Sequence, residues 1–374
     1  MRYFLFFMIT AVLTSCAGRR SVSDGQPINI NLAENRDEPT SLPAKATGFT
    51  ITQLSGDTTD AFFSKAEILD VIGDTMILLE SNPQVSRLLM FNVSDGSYLG
   101  QISHRGQGPG EYRMILGAFA DGKTNAAIIP NFDSPRVNVY SLAGDTLVRT
   151  IERTSPPSMI EPIGSVETAI NFAYPSPDGL NIYQYDADFN RIDSISVPGF
   201  IGGNFSTVWA NAGKDGVMMI ADTLYTLQPG KLQPVAILSR PGCSITPDDD
   251  NKIMEKIMNS GESEIEILRP YMLVRNVRID DNKMLLTTMF DAAKTSDLYD
   301  LTTGQLISRS KYEDLSVPSR MTVKGDNDKT VTVERLFAKD GKWYGIVSED
   351  NAPQTEEAPS DNTNYSIISF SIQD

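Results

Sequence analysis

The residues best able to do chemistry fall in one ten-residue stretch, His104-Arg105-Gly106-Gln107-Gly108-Pro109-Gly110-Glu111-Tyr112-Arg113. It holds the single histidine of the chain with two arginines, a carboxylate and a phenol, set around three glycines and a proline. A serine triad would have to use His104, yet no Gly-x-Ser-x-Gly elbow occurs anywhere in the sequence. A lone loop histidine of this kind is expected to be solvated. The glycines have the outline of a phosphate-binding fingerprint, which wants glycine at its first, third and sixth positions. Gly106 and Gly108 fit, but the sixth position is Glu111, whose charge repels phosphate, and Pro109 removes a backbone donor. Nucleotide binding is therefore not expected.

Metals are limited in the same way. Cys16 and Cys243 are the only cysteines beside that one histidine, so a zinc cluster cannot be assembled. Calcium takes carboxylate and amide oxygens, and Asn131 and Asp133 in "IPNFDSPR" are weak candidate ligands. No cofactor is expected, calcium being the one metal the acids could serve. No catalytic residue is assigned. Two roles then compete for the loop. As the wall of a binding site, it presents Arg105, Glu111, Tyr112 and Arg113 to a ligand, with Gly106, Gly108, Pro109 and Gly110 shaping the path. As a structural crossover, Glu111 caps local amides and Tyr112 packs inside the protein.

The start of the chain says where such a loop would work. "MRYFLFFMITAVLTS" has one arginine, an apolar run too short to span a bilayer, and small residues before Cys16. Leu13-Thr14-Ser15-Cys16 closely resembles the bacterial lipobox, which implies cleavage of residues 1–15 and lipidation of Cys16. Ala17, rather than an aspartate, favours the outer membrane of a Gram-negative envelope. Residues 16–47 are then expected to be the lipidated cysteine and a flexible polar tether, with the folded domain over 48–374. Cleavage removes Arg2 and no acid, taking the formal charge from −16 to −17. So acidic a chain repels phosphate backbones, and nucleic acid is not an expected partner. With Cys243 left alone, stability must come from a core, which 374 residues at 40% hydrophobic can supply.

From Gly48 onward, short apolar runs alternate with Gly, Asp, Asn and Pro. "RLLMFNVSDGSYLGQI" reads as two strands about Ser94-Asp95-Gly96, a hairpin signal because Asp-Gly accepts positive φ cheaply. Similar hairpins turn at Gly144-Asp145, Asp188, Pro229-Gly230 and Thr303-Gly304, with Phe91, Tyr140, Tyr185, Tyr225 and Tyr299 a few positions ahead. The first four turns recur at intervals of about 45 residues, the length of a four-stranded propeller blade. Six blades are counted, with seven as the competing number. The longer interval between Gly230 and Gly304 carries a helical insertion between blades 4 and 5. Three aspartates can cap and charge the N-terminus of its helix, and Ile253, Met254, Ile257 and Met258 form one face. The polar run 348–364 is expected to be a disordered loop. "GFTITQL" (48–54) is expected to pair with the last blade and close the ring, hiding exposed edges.

At the loop, "RGQGPGEY" strongly resembles the Gly-x-Gly-Pro-Gly-Glu-Tyr element of the six-bladed β-propeller lipoproteins of Bacteroidota, a TolB-like group of undefined activity. The resemblance covers essentially the whole mature domain, from lipobox and tether through first blade and glycine loop to later blades of matching texture, and implies fold and envelope location without a reaction. Five Asp-Thr or Asp-Ser triplets, such as Asp145-Thr146-Leu147, also look like the O-glycosylation sequon of exported Bacteroidota proteins, though a turn entering a strand gives the same pattern. The expected function is a non-catalytic envelope lipoprotein whose all-β, six-bladed propeller binds a glycan, ligand or protein partner. The alternative is a calcium-dependent hydrolase, lactonase or lyase with acids at the central channel.

Overall fold

The computed structural model describes residues 26–33, 41–55, 59–131, 134–152, 161–166, 169–176, 179–186, 188, 190–198, 207–212, 215–326, 328–348 and 365–373. The leader, Cys16, Asp133 and the excursion after 348 lie outside them. Three strands open the described chain, β1 (Ile28–Asn31), β2 (Ser41–Leu42) and β3 (Ala44–Gln53). Blade 1 follows as β4 (Ala66–Ile72), β5 (Thr75–Ser81), β6 (Ser86–Asn92) and β7 (Tyr98–Ile102). Blade 2 is β8 (Phe119–Asp121), β9 (Ala126–Pro130), β10 (Arg136–Ser141) and β11 (Thr146–Glu152). Blade 3 is β12 (Glu161–Val166), β13 (Ala169–Ser176), β14 (Gly179–Tyr185) and β15 (Arg191–Pro198). Blade 4 is β16 (Thr207–Ala212), β17 (Asp215–Ile220), β18 (Thr223–Gln228) and β19 (Lys231–Ser239).

Two helices, α1 (Pro247–Asn259) and α2 (Glu264–Leu268), then interrupt the strands. Blade 5 is β20 (Leu273–Asp280), β21 (Lys283–Phe290), β22 (Ala293–Asp300) and β23 (Leu306–Tyr312). After β24 (Arg320–Lys324), blade 6 takes β25 (Thr330–Lys339), β26 (Lys342–Ser348) and β27 (Tyr365–Ile372), with β3 as its outer strand. Every blade is an antiparallel meander, and the described residues form six such sheets. The first strands face the axis, where β12 packs against β16, β16 against β20, β20 against β25, β25 against β4 and β4 against β8. Ile367 pairs with Thr52 and Ile368 with Ile51, so the start of the chain completes its end. β24 bridges the first half of β25 and the first residues of β3, and the last sheet closes on itself.

The sequence explains the repeated hairpin. Asn92 Oδ1 accepts from Ser94 N at 2.8 Å, Asp186 Oδ1 from Asp188 N at 2.9 Å, and Asp300 Oδ1 from Thr302 N at 2.7 Å. Each short side chain holds the turn that its own strand enters. The aromatic ahead of each turn marks a second repeat. At Phe91, Tyr140, Tyr185, Tyr225 and Tyr299 the outer strand carries one extra residue, a β-bulge. Those extra residues are Leu99, Val148, Ile192, Val235 and Ile307.

The expected tether ends earlier than residue 47. Ile28–Asn31 adds parallel to β19, Ser41–Leu42 adds antiparallel to β23, and Ala44 onward belongs to β3. The chain thus runs along the outer edges of blades 4, 5 and 6 in turn. Ile28 and Ile30 are apolar at alternate positions, and Ile30 shares a core cluster with Val235 and Leu224. Alternating burial, not composition, makes this polar-looking segment a strand.

The helical insertion is where the sequence placed it. Thr246 caps α1, accepting from Asp249 N while the Asp249 carboxylate takes the Thr246 amide, a reciprocal box. Ile253, Met254 and Ile257 pack toward Leu268 and Leu273. Met258 does not join them and stands 75% exposed. Arg240 ties the insertion to blade 4, donating to Asp222 and to the Met272 carbonyl at 2.7 Å. Cys243 lies buried beside it.

Candidate functional site

The glycine loop crosses from β7 to β8, held first by bonds between its own residues. Tyr112 N donates to the His104 carbonyl at 3.0 Å and Gly106 N to the Tyr112 carbonyl at 2.9 Å, pairing the two ends of the loop. The Glu111 carboxylate accepts from Gly108 N at 2.7 Å. It lies so close over Gly106 that an added Cβ there would meet Glu111 Oε2 at 2.0 Å. Gly110 has φ +76° and faces Leu147, leaving room for no side chain. Pro109 sits exposed in the turn between them. The glycines make way for a carboxylate and a neighbouring strand, which answers why so many are spent here.

The loop is clamped on both flanks. Toward blade 1, Arg105 donates to the Gln84 carbonyl at 2.6 Å and the Pro83 carbonyl at 2.7 Å, and Ser86 Oγ accepts from Ile115 N. Toward blade 2, Asn138 Nδ2 donates to the Glu111 carbonyl at 3.1 Å, and the Tyr140 hydroxyl donates to the Gly110 carbonyl. Tyr112 is 1% exposed, within the cluster of Ile77, Met90, Ile115 and Ile129. Its hydroxyl donates to the Ile102 carbonyl and accepts from His104 N, both at 3.1 Å. Burial pushes this phenol up to about 12, and pushes that of Tyr140 higher still. These contacts give Arg105, Glu111 and Tyr112 structural work. Arg113 is exposed.

His104 departs from the expectation of a solvated side chain. Its ring stacks on Tyr140 at 4.9 Å, and Nε2 lies 2.7 Å from Asp145 Oδ1. Asp145, at the turn of blade 2, thereby fastens the loop to the next blade. Asn131 is buried, its amide nitrogen 3.4 Å from the Glu111 carbonyl, while its proposed co-ligand Asp133 falls outside the described residues. Among the described residues, no group of three or more His, Cys, Asp or Glu is arranged to hold a metal ion. No helix among them is long and apolar enough to cross a membrane.

A second cluster, which the sequence reading missed, lines the axis between blades 5, 6 and 1. Three axial strands, β20, β25 and β4, each carry a bulge, at Val274/Asn276, Glu334/Phe337 and Ile68/Asp70. Bulges re-aim side chains, and here they accompany charged ones. Glu67 is exposed by area, yet protein surrounds it as a narrow channel would. That crowding pushes its carboxyl above the usual range, against the lowering influence of Arg278 and Arg335. Burial likewise lowers Arg278, Arg275 and Lys294, the last also repelled by Arg275. Arg278 gives Nη1 to Asn276 Oδ1 at 2.9 Å, while its Nε is sealed from solvent with no hydrogen-bond partner. Arg335 sits in the left-handed region at φ +53°, donating to the Ser64 carbonyl across the ring joint. Glu334 pairs with Arg320 at 2.8 Å. Further along β25 and β4, Lys339 pairs with Asp70 at 2.7 Å.

Sequence offered one faint sign of this cluster. "AEILDVI", "LVRNVRID" and "TVTVERLFAK" each set two or more charged residues into a strand with a largely apolar remainder, where a strand buried on both faces would read as a continuous apolar run.

Four-stranded antiparallel blades set around an axis and closed by an N-terminal strand define a six-bladed β-propeller. A family model described as a 6-bladed beta-propeller, DUF5128, matches residues 49–160, spanning blade 1, the glycine loop and blade 2. The chain is similar in structure to a candidate exported protein of Bacteroides fragilis, with 14% identity and a TM-score of 0.60 over 93% of this chain and 99% of that one. It is also similar to a member of the DUF4221 family from Bacteroides vulgatus, with 12% identity and a TM-score of 0.51 over 89% and 99% of the two chains. At such identities the likeness is one of fold. No curated protein matches the chain.

Proposed function

We propose that the chain is an exported, lipid-anchored envelope protein whose propeller binds a ligand or partner at its axial mouth and performs no chemistry of its own. The leader and Leu13-Thr14-Ser15-Cys16 support anchoring. The fold shared with a candidate exported protein of Bacteroides fragilis supports export. The observation that carries the binding role is the mixed-charge mouth, where arginines are held partly desolvated. Charged groups kept in such a state cost stability, and in propeller folds the axis is a common place for a ligand that repays it. The glycine loop serves that mouth as scaffold, locking blade 1 to blade 2.

The anchoring reading predicts that the wild-type chain pellets with outer membranes and is released only by detergent. Cys16→Ala should appear in the soluble envelope fraction; equal retention of both forms would refute lipid attachment. The binding reading predicts a melting temperature that calcium and chelator leave unchanged. A rise with calcium, reversed by chelator, would favour the calcium-dependent enzyme instead.

A further inference from the structure

The strand that ends the expected tether early also shortens its reach. Ile30 and Leu32 are 2% and 5% exposed in the core cluster of Val235 and Leu238, and Leu32 N donates to the Ser239 carbonyl at 3.0 Å. Ile28 packs against the same cluster. A Cβ added to Gly304, at the neighbouring turn of blade 5, would meet Ile28 Cδ1 at 3.2 Å. From Ile28 onward the chain is therefore held on the outer edge of blade 4.

A tether running from Cys16 to residue 48 would let the domain stand about 110 Å from its lipid, at about 3.3–3.6 Å per residue. Cys16 and Gln26 are only ten residues apart. Whatever its shape, that leash spans no more than about 35 Å. A domain of this length has a radius of gyration of about 20 Å and is about 50 Å across. In a ring of six, blade 1 stands opposite blade 4. Setting the rim of blade 1 on a bilayer would lift the rim of blade 4 beyond the reach of the leash.

Charge decides between standing on the rim and lying on a face. Alternate turns of an antiparallel meander share one face of the ring. Asp74, Asp95, Asp145, Asp188, Asp300 and Asp340 stand in or beside turns of that face, with Lys123, Lys231 and Lys342 interspersed. A bilayer containing anionic lipid repels a face of that balance. We propose that the anchored propeller stands on the rim of blade 4, which meets the lipid surface, and carries blade 1 and the glycine loop outward. This rests on the reading that Cys16 is lipidated, and adds which surface of the domain faces the bilayer. The axis of the ring then runs along the membrane plane, so the axial mouth opens toward neighbours in the same membrane.

Energy transfer from a single fluorophore to acceptor-labelled headgroups tests this on the lipidated full chain, in vesicles of phosphatidylethanolamine and phosphatidylglycerol. Acylation occupies Cys16 and Cys243 is buried, so an introduced cysteine takes the label. Lys231→Cys on blade 4 and Thr303→Cys beside Ile28 are the near positions. Leu99→Cys on the rim of blade 1 and Lys123→Cys at a turn of blade 2 are the far ones. Transfer should be about twofold or more greater at the near pair, the two rims lying about 50 Å apart. Ile30→Asp should detach β1 and move the first held residue to Ser41, twenty-five residues from Cys16. The contrast should then fall while the chain still pellets with vesicles. A Gly-Ser insertion of about 30 residues between Gly25 and Gln26 should do the same with β1 in place, which separates leash length from any loss of folding. Equal transfer at Lys231 and Leu99 in the uninserted chain, or a contrast that survives the insertion, would overturn the proposal and leave anchoring intact. A chain that never associates with vesicles would instead refute lipid attachment, and the posture with it.

Discussion

At the scale of single residues, the glycine loop is a set of close approaches, and each approach has a measurable cost. In Gly106→Ala the new methyl displaces the Glu111 carboxylate and so breaks its bond to Gly108 N. The carboxylate is exposed and free to swing away, so the loss should be about 1 kcal/mol in denaturant titration. In a Glu111→Ala background the same change should cost almost nothing, because the bond is already gone. Additive effects would show that Gly106 is needed for its backbone instead. Gly110→Ala should cost more, about 2 kcal/mol, since it adds left-handed strain to a clash with Leu147. Tyr112 supplies a pH-dependent counterpart. Its phenol is held at about 12 in the fold, above the ordinary 10.0, so the folded state keeps a proton that the unfolded chain releases first. The sign follows: this contribution is intact below pH 10 and is lost as pH rises toward 12. Tyr112→Phe should be less stable at neutral pH by about 1 kcal/mol, through the lost bond to the Ile102 carbonyl. It should also lose stability less steeply than wild type between pH 10 and 12; parallel slopes would mean that the hydroxyl is not buried as described.

At the scale of elements, the outer-strand bulges form a natural experiment. Leu99, Val148 and Ile192 are 51%, 59% and 53% exposed on blades 1 to 3, whereas the equivalent Val235 on blade 4 is 4% exposed beneath β1. Val235→Ala should therefore cost about 2 kcal/mol and Val148→Ala less than about 0.5 kcal/mol, as read by chemical denaturation. Matching losses at both positions would remove β1 from the fold. The strands and their turns were legible in sequence, because Asn92, Asp186 and Asp300 act within their own hairpins and their signal is local. α1 was legible for the same reason, its acids lying within the first turn and its apolar residues at helical spacing. β1 was not. Its Ile28 and Ile30 mean nothing until β19, some 200 residues away in sequence, supplies the edge they complete. The axial cluster was hidden likewise, since Glu67, Arg278 and Arg335 meet only when the ring closes. The loop motif was conspicuous, but its residues bond to one another and to the adjoining blades, so conspicuousness marked a joint.

At the scale of the whole molecule, the ring is a chain of blades with one joint that sequence neighbours cannot make. Blade 6 borrows β3 from the far end of the chain, and around that joint Lys339 pairs with Asp70 while Arg335 reaches Ser64. A chain beginning at residue 33 would lose β1 alone. It should keep the oligomeric state of the full chain and lose stability by roughly the area that Ile28, Ile30 and Leu32 bury against Val235 and Leu238. A chain beginning at residue 55 would lose β2 and β3 as well and leave the edge of β27 open. That edge carries Ile367, Ile368 and Phe370, buried in the intact protein, so the truncation should form higher oligomers or precipitate. Because the joint also holds Glu67 opposite Arg335, this truncation should abolish ligand binding, while the shorter one leaves it intact. Size-exclusion chromatography and melting curves on the two truncations separate these outcomes. A soluble, cooperatively melting monomer beginning at residue 55 would mean that five blades and an open sixth suffice, and that β3 decorates the ring without closing it.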